Sequence, residues 1–260
     1  MTARLNRLFA ADGRCFDVAV DHGFFGEPSF LTGIESMELT IATLVEAGPD
    51  AIQLSPGQAP LLQRLPGPKP ALVLRSDVAN VYGAKPRSHL FSELVERAVE
   101  RALLLDAACL CVNLLSLPGE DELFHQCVRN VSALRAACDP VGMPLMVEPL
   151  AFKPGEGGYS VDGDPDRITT LVRQAVELGA DVVKADPTDD LADYPRVIEA
   201  AAPRPVLVRG GGRLPDDEIL RRTAEVMRLG AAGIVYGRNV VQHPRPAEIT
   251  RRLMDIVHGD

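Results

Sequence analysis

The sequence predicts a single-domain (β/α)8 TIM barrel that spans residues 1–260. Short apolar or β-branched runs recur eight times along the chain. Each run is continuous rather than alternating, as expected for a strand that is covered on both faces. Segments with helical spacing separate the runs, and strands that alternate with helices indicate a parallel sheet. Eight such units in 260 residues match this barrel.

The predicted strands are the eight apolar runs Phe16–Val20, Ala51–Leu54, Ala71–Leu74, Ala108–Leu114, Pro144–Val147, Asp181–Lys184, Pro205–Val208 and Gly233–Tyr236. One predicted helix begins at Pro165 with Asp164 as its N-cap, and Gly179 ends it. A second helix is predicted from the spacing of Leu90, Leu94, Val95, Ala98, Ala102 and Leu105. A doubly wound sheet is the alternative, but the first run is followed by Asp21 and His22 rather than by a glycine-rich dinucleotide loop.

Composition and charge narrow the class of protein. The chain is 46% apolar and has a formal net charge of −9, whereas a domain that binds nucleic acid is expected to be basic. No apolar run approaches the roughly 20 residues of a transmembrane helix, and the first residues lack the apolar stretch of a secretory signal. The five cysteines do not suggest a disulfide framework. We therefore expect a cytoplasmic protein that binds neither nucleic acid nor membrane.

Lys184 is the strongest candidate for a catalytic residue. Functional groups of such barrels lie at the carboxyl ends of the strands, and Lys184 closes the run Asp181–Lys184. A lysine that is withdrawn from water loses its proton more easily and can attack a carbonyl carbon, which an arginine cannot do. A lysine that only extends from the strand end into water is the alternative.

Glu148 and Asp21 are the candidate proton-transfer groups. Glu148 follows the run Pro144–Val147, the neighbour of the lysine strand, and Asp21 follows the first run. Iminium chemistry requires proton transfers, which a carboxyl group beside the amine can carry out. Each carboxylate could instead only pair with a lysine or an arginine.

Two glycine-rich turns predict a phosphate site. Barrels often bind phosphate between the loops that follow their last two strands, where backbone N–H groups suit an anion. Both of these loops carry glycine and arginine here, although glycine is also common in tight turns for structural reasons. Together with polar residues that end other strands, the candidate substrate- and phosphate-binding residues are Arg209, Gly210, Gly211, Gly212, Gly237, Arg238, His22, Arg75 and Asn113.

The sequence predicts neither a metal nor another cofactor. The five histidines are scattered, and neither they nor the cysteines have a spacing typical of a metal site. The expected partner is a small phosphorylated substrate, a ketose or an aldehyde.

Three segments of the chain carry a resemblance to a known family. They are Ala19–Gly23, Ala180–Lys184 and Gly230–Val240. Together they resemble the bacterial and archaeal class I aldolases of the fructose-bisphosphate and deoxyribose-phosphate superfamily, over nearly the whole chain. The resemblance implies that Lys184 forms a Schiff base, that Asp21 assists it, and that the two late loops hold the substrate's phosphate. It also implies a homo-oligomer.

One position departs from the family pattern and bears on the substrate. Archaeal-type members usually place a tyrosine near the end of the fifth strand as proton donor, where this chain has Glu148. Related tagatose-bisphosphate and sulfofructose-phosphate aldolases use a glutamate at a similar position. The segments Asp21–Phe25 and Val141–Pro144 resemble a thiolase branch that acts on a phosphorylated dione, and the family also includes a synthase of an aminosugar precursor.

The leading hypothesis is a metal-independent aldolase that forms a Schiff base with a phosphorylated ketose and makes or breaks a carbon–carbon bond. The first alternative is a thiolase or transaldolase-like synthase that uses the same lysine on a phosphorylated dione or ketose. The second is a sugar-phosphate sensor without catalysis. A sensor needs neither Lys184 nor Glu148, and their presence therefore favours an enzyme.

Overall fold

The computed structural model of the chain describes residues 3–83, 89–156 and 158–259. Within these residues the strands are β1 (Cys15–Ala19), β2 (Ala51–Leu54), β3 (Ala71–Arg75), β4 (Asp77–Ala79), β5 (Ser92–Leu94), β6 (Cys109–Ser116), β7 (Leu145–Gly155), β8 (Gly158–Val161), β9 (Val182–Ala185), β10 (Val206–Arg209) and β11 (Gly233–Tyr236). Eight of them are parallel and pair in the cyclic order β1, β2, β3, β6, β7, β9, β10, β11 and back to β1. The predicted (β/α)8 barrel is confirmed, and each predicted run is one of its strands.

Helices alternate with the barrel strands along the chain. They are α1 (Leu5–Leu8), α2 (Met37–Ala47), α3 (Ala59–Gln63), α4 (Ala98–Leu104), α5 (Asp121–Cys138), α6 (Pro165–Glu177), α7 (Tyr194–Ala201), α8 (Asp216–Arg228), α9 (Arg238–Val241) and α10 (Pro246–His258). Helix α6 begins as predicted, because the Asp164 side chain accepts hydrogen bonds from the backbone N–H groups of Asp166 and Arg167. None of the described helices is both long and apolar enough to cross a membrane.

The helix that was predicted from Leu90 is wrong in its first half. Residues Ser92–Leu94 form strand β5, which pairs with β4 in an antiparallel hairpin, and the helix begins only at Ala98. The side chain of Ser92 donates to Asp77 and is fully buried. This tertiary contact fixes an extended conformation that the apolar spacing alone does not indicate.

The fold has an outer core and a smaller inner core. In β1, Phe16 and Val18 pack in the outer core between the sheet and the helices, whereas Cys15 and Ala19 pack in the inner core. Leu5, Leu8 and Phe9 of the α1 region also belong to the inner core, with residues that begin the strands. Helix α1 therefore closes the amino end of the barrel and leaves the carboxyl end as the site of the polar groups.

Candidate active site

Lys184 lies inside the carboxyl end of the barrel. It is on β9 and is 4% exposed. Its Nζ atom is 3.0 Å from Oε2 of Glu148 and 3.5 Å from Oε1 of Gln53. Strands β7 and β9 are neighbours, as the sequence predicted, and the amine therefore faces a carboxylate within the barrel. The lysine does not extend into water.

Glu148 is the centre of the charged cluster at this end of the barrel. Its Oε2 atom accepts from Nη2 of Arg75 at 2.5 Å, and Oε1 is 3.1 Å from Nε of Arg209. Burial alone would raise the pKa of Glu148, but Lys184, Arg75 and Arg209 together hold it well below its ordinary value. The group is therefore held as a carboxylate, the shared counter-ion of these three cations.

Asp21 is the second carboxylate of the cluster. Its Oδ2 atom accepts from Nε of Arg75 at 2.6 Å and from Nε2 of Gln53 at 2.7 Å. Burial opposes ionisation of Asp21, but the charges of Arg75 and Lys184 outweigh it and lower the pKa. Gln53 thus connects Asp21 to Lys184, because its amide contacts Asp21 through nitrogen and Lys184 through oxygen.

Arg75 and Asn113 lie behind the two carboxylates. The Arg75 guanidinium is 1% exposed and is paired with Asp21, with Glu148 and, at 3.3 Å, with Asp77. Asn113 donates from Nδ2 to Asp77 at 2.8 Å, and it is not among the residues that line the pocket. The structure therefore brings Arg75 to the floor of the site and places Asn113 one layer deeper.

Arg209 links Glu148 to a second acid. It ends β10 and donates from Nη1 to Asp186 at 2.9 Å and from Nη2 to the hydroxyl of Tyr82 at 3.0 Å. Tyr82 also contacts Phe25, Phe30 and Phe152 edge-on. An apolar rim of rings thus surrounds the charged floor and limits the access of water.

The glycine turns follow β10 and β11, as the sequence predicted. Gly211 has a φ of +64°, in the left-handed region that favours glycine. A Cβ atom on Gly237 would lie 2.5 Å from Nε2 of His22 and 2.6 Å from the carbonyl oxygen of Ala19. Any side chain there would displace the end of β1. Gly210 and Gly212 complete the first turn, and their carbonyl oxygens accept from the side-chain amide of Asn239, both at 3.1 Å.

Arg238 lies at the entrance, with its guanidinium carbon 4.4 Å from the centre of the Phe30 ring. Burial and the positive charge of Arg209 lower the pKa of Arg238. No carboxylate of the described residues lies within ion-pair distance of it. The guanidinium is therefore a cation that faces the pocket and makes no ion pair within the described chain, although Asp186 and Glu27 attract it from further away.

His22 is a neutral imidazole beside this entrance. It begins a 3₁₀ turn, His22–Phe25, and is 8% exposed. Burial lowers the pKa of His22 to about 4, against the opposing effect of Asp21 and with a smaller contribution from Arg238. The ring is therefore uncharged at neutral pH and can hydrogen-bond without adding to the positive charge.

These residues line an inner pocket of about 440 Å³ that is open to solvent, and six of its lining residues also line an outer pocket of about 920 Å³. Lys184, Glu148 and Asp21 line the inner pocket, and Gly212 lines only the outer one. Of the predicted site residues, Asn113 alone lines neither. No group of three or more metal-ligating side chains occurs within the described ranges.

A profile of the DeoC/LacD family aldolases matches residues 15–243. The chain belongs to this family. It is therefore an enzyme of the class I, Schiff-base aldolase type, as the resemblance implied.

Relatives of this chain are named for different reactions. The chain is 30% identical to the 2-amino-3,7-dideoxy-D-threo-hept-6-ulosonate synthase of Halobacterium salinarum, covering 100% of this chain and 92% of the relative. It is 29% identical to the 3-hydroxy-5-phosphonooxypentane-2,4-dione thiolase of Escherichia coli, covering 99% and 82%. Both the synthase and the thiolase of the first alternative hypothesis are thus similar to this chain.

A solved aldolase structure is similar to the whole barrel. It is an archaeal fructose-1,6-bisphosphate aldolase with its catalytic lysine bound covalently to the carbinolamine intermediate of the substrate. The TM-score is 0.79 at 25% identity, and the match covers 98% of each chain. The barrel of this chain is therefore similar in full to one in which a lysine adduct has been observed.

Four residues of this aldolase site were not among the predicted site residues: Gln53, Tyr82, Asp186 and Asn239. Gln53 carries a detectable signal, since it is the one polar residue in the apolar strand β2. Asp186 lies two residues after Lys184 and ends the same strand region, where a functional group was expected. The contacts of Tyr82 and Asn239 join segments that are distant along the chain, and no local pattern shows them.

Proposed function

We propose that this chain is a metal-independent aldolase in which Lys184 forms a Schiff base with a phosphorylated ketose. The single observation that carries the proposal is the 3.0 Å contact between the buried Lys184 amine and the Glu148 carboxylate. A lysine can attack a carbonyl only as the free amine. Glu148 is a carboxylate at contact distance and can accept the proton that Lys184 must lose.

The reaction then proceeds through proton transfers at these groups. The free amine of Lys184 adds to the ketose carbonyl to form a carbinolamine, which gains a proton on its hydroxyl and loses water to give an iminium. A carboxylate removes the proton of the hydroxyl beyond the bond to be broken, and the electrons of that bond pass to the iminium. An aldehyde leaves, the enamine is reprotonated on carbon, and water releases the second product. Glu148 contacts the amine directly and Asp21 reaches it through Gln53, so that either carboxylate can take part.

We propose that the substrate's phosphate binds between the two glycine turns. Gly210, Gly211 and Gly237 line the pocket, and Gly211 and Gly237 offer backbone N–H groups, since that of Gly210 is donated to the carbonyl of Val235. Arg238 adds a cation that makes no ion pair within the described residues. Arg209 and His22 would complete this wall, Arg209 as a fixed charge and His22 as a neutral hydrogen-bonding group. Arg75 and Asn113 would act behind the substrate, because their donors are directed at carboxylates of the cluster.

The experiment that tests the proposal is borohydride trapping with a panel of phosphorylated ketoses, followed by mass spectrometry of the peptides. We expect an irreversible adduct on the peptide that contains Lys184 and none in Lys184→Ala. Lys153→Ala is the matched control, because Lys153 is half-exposed, pairs with Asp162 and Asp189, and does not line the inner pocket. An adduct on Lys153, with Lys184→Ala still active, would overturn the assignment. EDTA should leave the activity intact.

A thiolase or synthase activity is the second candidate, supported by the two relatives of known reaction. The same trapping experiment, repeated with a phosphorylated dione and coenzyme A, separates the two: acyl transfer to coenzyme A identifies a thiolase, and release of an aldehyde from a ketose identifies an aldolase. A sensor without catalysis would turn over neither. The cytoplasmic location and the homo-oligomer stay predictions, the latter open to sedimentation analysis.

A further inference from the structure

Asp17 is a fully buried acid inside the barrel for which the reaction described above has no use. It is the middle residue of β1, between Phe16 and Val18 of the outer core. Cys15 and Ala19, two positions away on either side, belong to the inner core. Because successive side chains of a strand point to opposite faces, Asp17 faces the barrel interior. Its exposure is 0%, and neither carboxyl oxygen has a hydrogen-bond partner in the described part of the chain.

An unpartnered buried carboxyl destabilises a fold if it is charged, and it is therefore held neutral or retained for a purpose. Burial raises the pKa of Asp17 to about 7, and the attraction of Lys184 opposes this rise. The other charged or titratable groups that act on Asp17 or are acted on by it are Asp21, Arg75, Glu148, Cys15 and Cys109.

The strand register places Asp17 below the amine. Asp17 pairs with Val235, which lines the inner pocket together with Lys184. Ala19, the next interior residue of β1, pairs with Gln53, whose Oε1 atom is 3.5 Å from the amine.

The balance of charges in the cluster also favours a neutral Asp17. Lys184, Arg75 and Arg209 face four carboxylates in ion pairs, those of Asp21, Asp77, Glu148 and Asp186. Arg238 is a fourth cation that lines the pocket, so that the four carboxylates are balanced. A fifth carboxylate below them would therefore create an excess of negative charge. Loss of the Lys184 proton to form the free amine would increase that excess further.

We propose that Asp17 is a positioning residue that controls the charge on Lys184 from inside the barrel. As a neutral acid it leaves Lys184 free to give its proton to Glu148. As a carboxylate it stabilises the ammonium form and withholds the free amine. The proton that Asp17 gains or loses exchanges with solvent, so that no further reactant is needed. This inference rests on the proposed function, in which Lys184 attacks as the free amine.

The test compares the rate of adduct formation in the wild type, Asp17→Asn and Asp17→Leu between pH 5.5 and pH 9. Rates are expressed as the ratio of variant to wild type at each pH, so that the pH dependence of borohydride and of the ketose cancels. We expect a ratio near one at pH 5.5, where the Asp17 of the wild type is as neutral as the residue that replaces it. By pH 8.5 the ratio should rise roughly 3- to 30-fold, the range that a unit charge several ångströms away produces at an intermediate dielectric.

Two neutral replacements separate charge from packing. Asn and Leu both remove the charge, and only Asn can hydrogen-bond, so that agreement between them supports control by charge. A flat ratio for both variants, with a normal adduct in the wild type, would overturn the inference and leave the proposed function intact. Divergent profiles for Asn and Leu would overturn it as well. Absence of an adduct in the wild type would refute the proposed function itself.

Unfolding supplies a readout that is independent of the Schiff base. The folded-state pKa of Asp17 is raised above its unfolded value, so that the carboxyl destabilises the fold increasingly as pH rises from about 4 to about 7. The advantage of Asp17→Asn over the wild type in denaturant midpoint should therefore grow between pH 5 and pH 8. An advantage that is constant with pH would show that Asp17 does not titrate in this range and would overturn the inference.

Discussion

The two ends of the barrel contain different kinds of core. At the carboxyl end, Lys184, Glu148 and Arg75 are buried together as charged groups. At the amino end, Leu8 and Phe9 pack on the apolar residues that begin the strands. The inner core is thus continuous from one end to the other, and its polarity changes from charged to apolar along the strands.

This difference separates function from stability. A buried ion pair contributes little net stability, because desolvation offsets most of the attraction, yet removal of one partner leaves an uncompensated charge. Buried apolar side chains stabilise a fold roughly in proportion to the area removed from water. We therefore expect substitutions at the carboxyl end to affect catalysis most, and substitutions at the amino end to affect unfolding most.

The largest expected effect is that of Glu148→Gln at the carboxyl end. Gln cannot accept the Lys184 proton, and kcat should fall by roughly 10²–10⁴-fold, the usual range for loss of general acid–base catalysis. Steady-state kinetics with the ketose that gives the borohydride adduct measures this fall in kcat, at a temperature well below the unfolding midpoint. That midpoint should also fall, because three cations lose a carboxylate partner.

Asp21→Asn identifies which carboxylate carries the proton. Among the described contacts, Asp21 does not meet the amine directly and reaches it through Gln53. Near-normal turnover in Glu148→Gln together with a collapsed rate in Asp21→Asn would transfer the role to Asp21. Near-complete loss in both would mean that the two carboxylates act as one coupled unit.

The opposite effect is expected for Leu8→Ala at the amino end. Leu8 is 0% exposed in the apolar plug that Leu5, Leu8 and Phe9 form at the amino end of the barrel. Truncation of such a side chain typically costs about 2–5 kcal/mol. The free energy of unfolding, measured in urea, should fall by an amount in this range. The kcat of the folded variant should stay within about twofold of the wild type, since the plug lies at the far end of the barrel. A tenfold loss of kcat would show that the two ends are mechanically coupled.

Arg238→Ala tests the entrance of the pocket. Loss of a charge-assisted contact with phosphate costs about 1.5–3 kcal/mol, and the KM for a phosphorylated ketose should therefore rise roughly 10- to 150-fold. An unphosphorylated analogue should be affected far less. Arg245→Ala is the matched control, because Arg245 is exposed and pairs with Glu248 outside the pocket. Equal losses for both substrates would assign Arg238 to the fold instead of to the phosphate.

The barrel was predictable because each strand is a local apolar run that polar or glycine residues follow in the sequence. Lys184 and Glu148 could be found for the same reason, since each closes its own run. What the sequence does not show is the pairing across the barrel: Arg75 holds Asp21 and Glu148 from two other strands. The helix expected from Leu90 was wrong because a contact between Ser92 and Asp77, distant along the chain, outweighs the local spacing.

The smallest effect concerns a pH-dependent contact at the amino end. His258 lies between two carboxylates, with Nδ1 2.7 Å from Asp12 and Nε2 2.9 Å from Asp50. Burial lowers the pKa of His258, but the hydrogen bonds to Asp12 and Asp50 outweigh it, and the pKa is raised above 6.5. A raised folded-state pKa contributes stability that is fully present below the unfolded value and is lost as pH rises through the folded value.

His258→Gln should therefore be less stable than the wild type at pH 5.5 and nearly equal to it at pH 9, by under about 1 kcal/mol because the group is partly exposed to solvent. Urea unfolding at the two pH values measures the difference. The Schiff-base rate should not change, since His258 lies at the end of the barrel that carries no predicted site residue. A stability loss that grows with pH would mean that His258 acts as a neutral hydrogen-bonding group, and the amino end would then hold no charged contact of consequence.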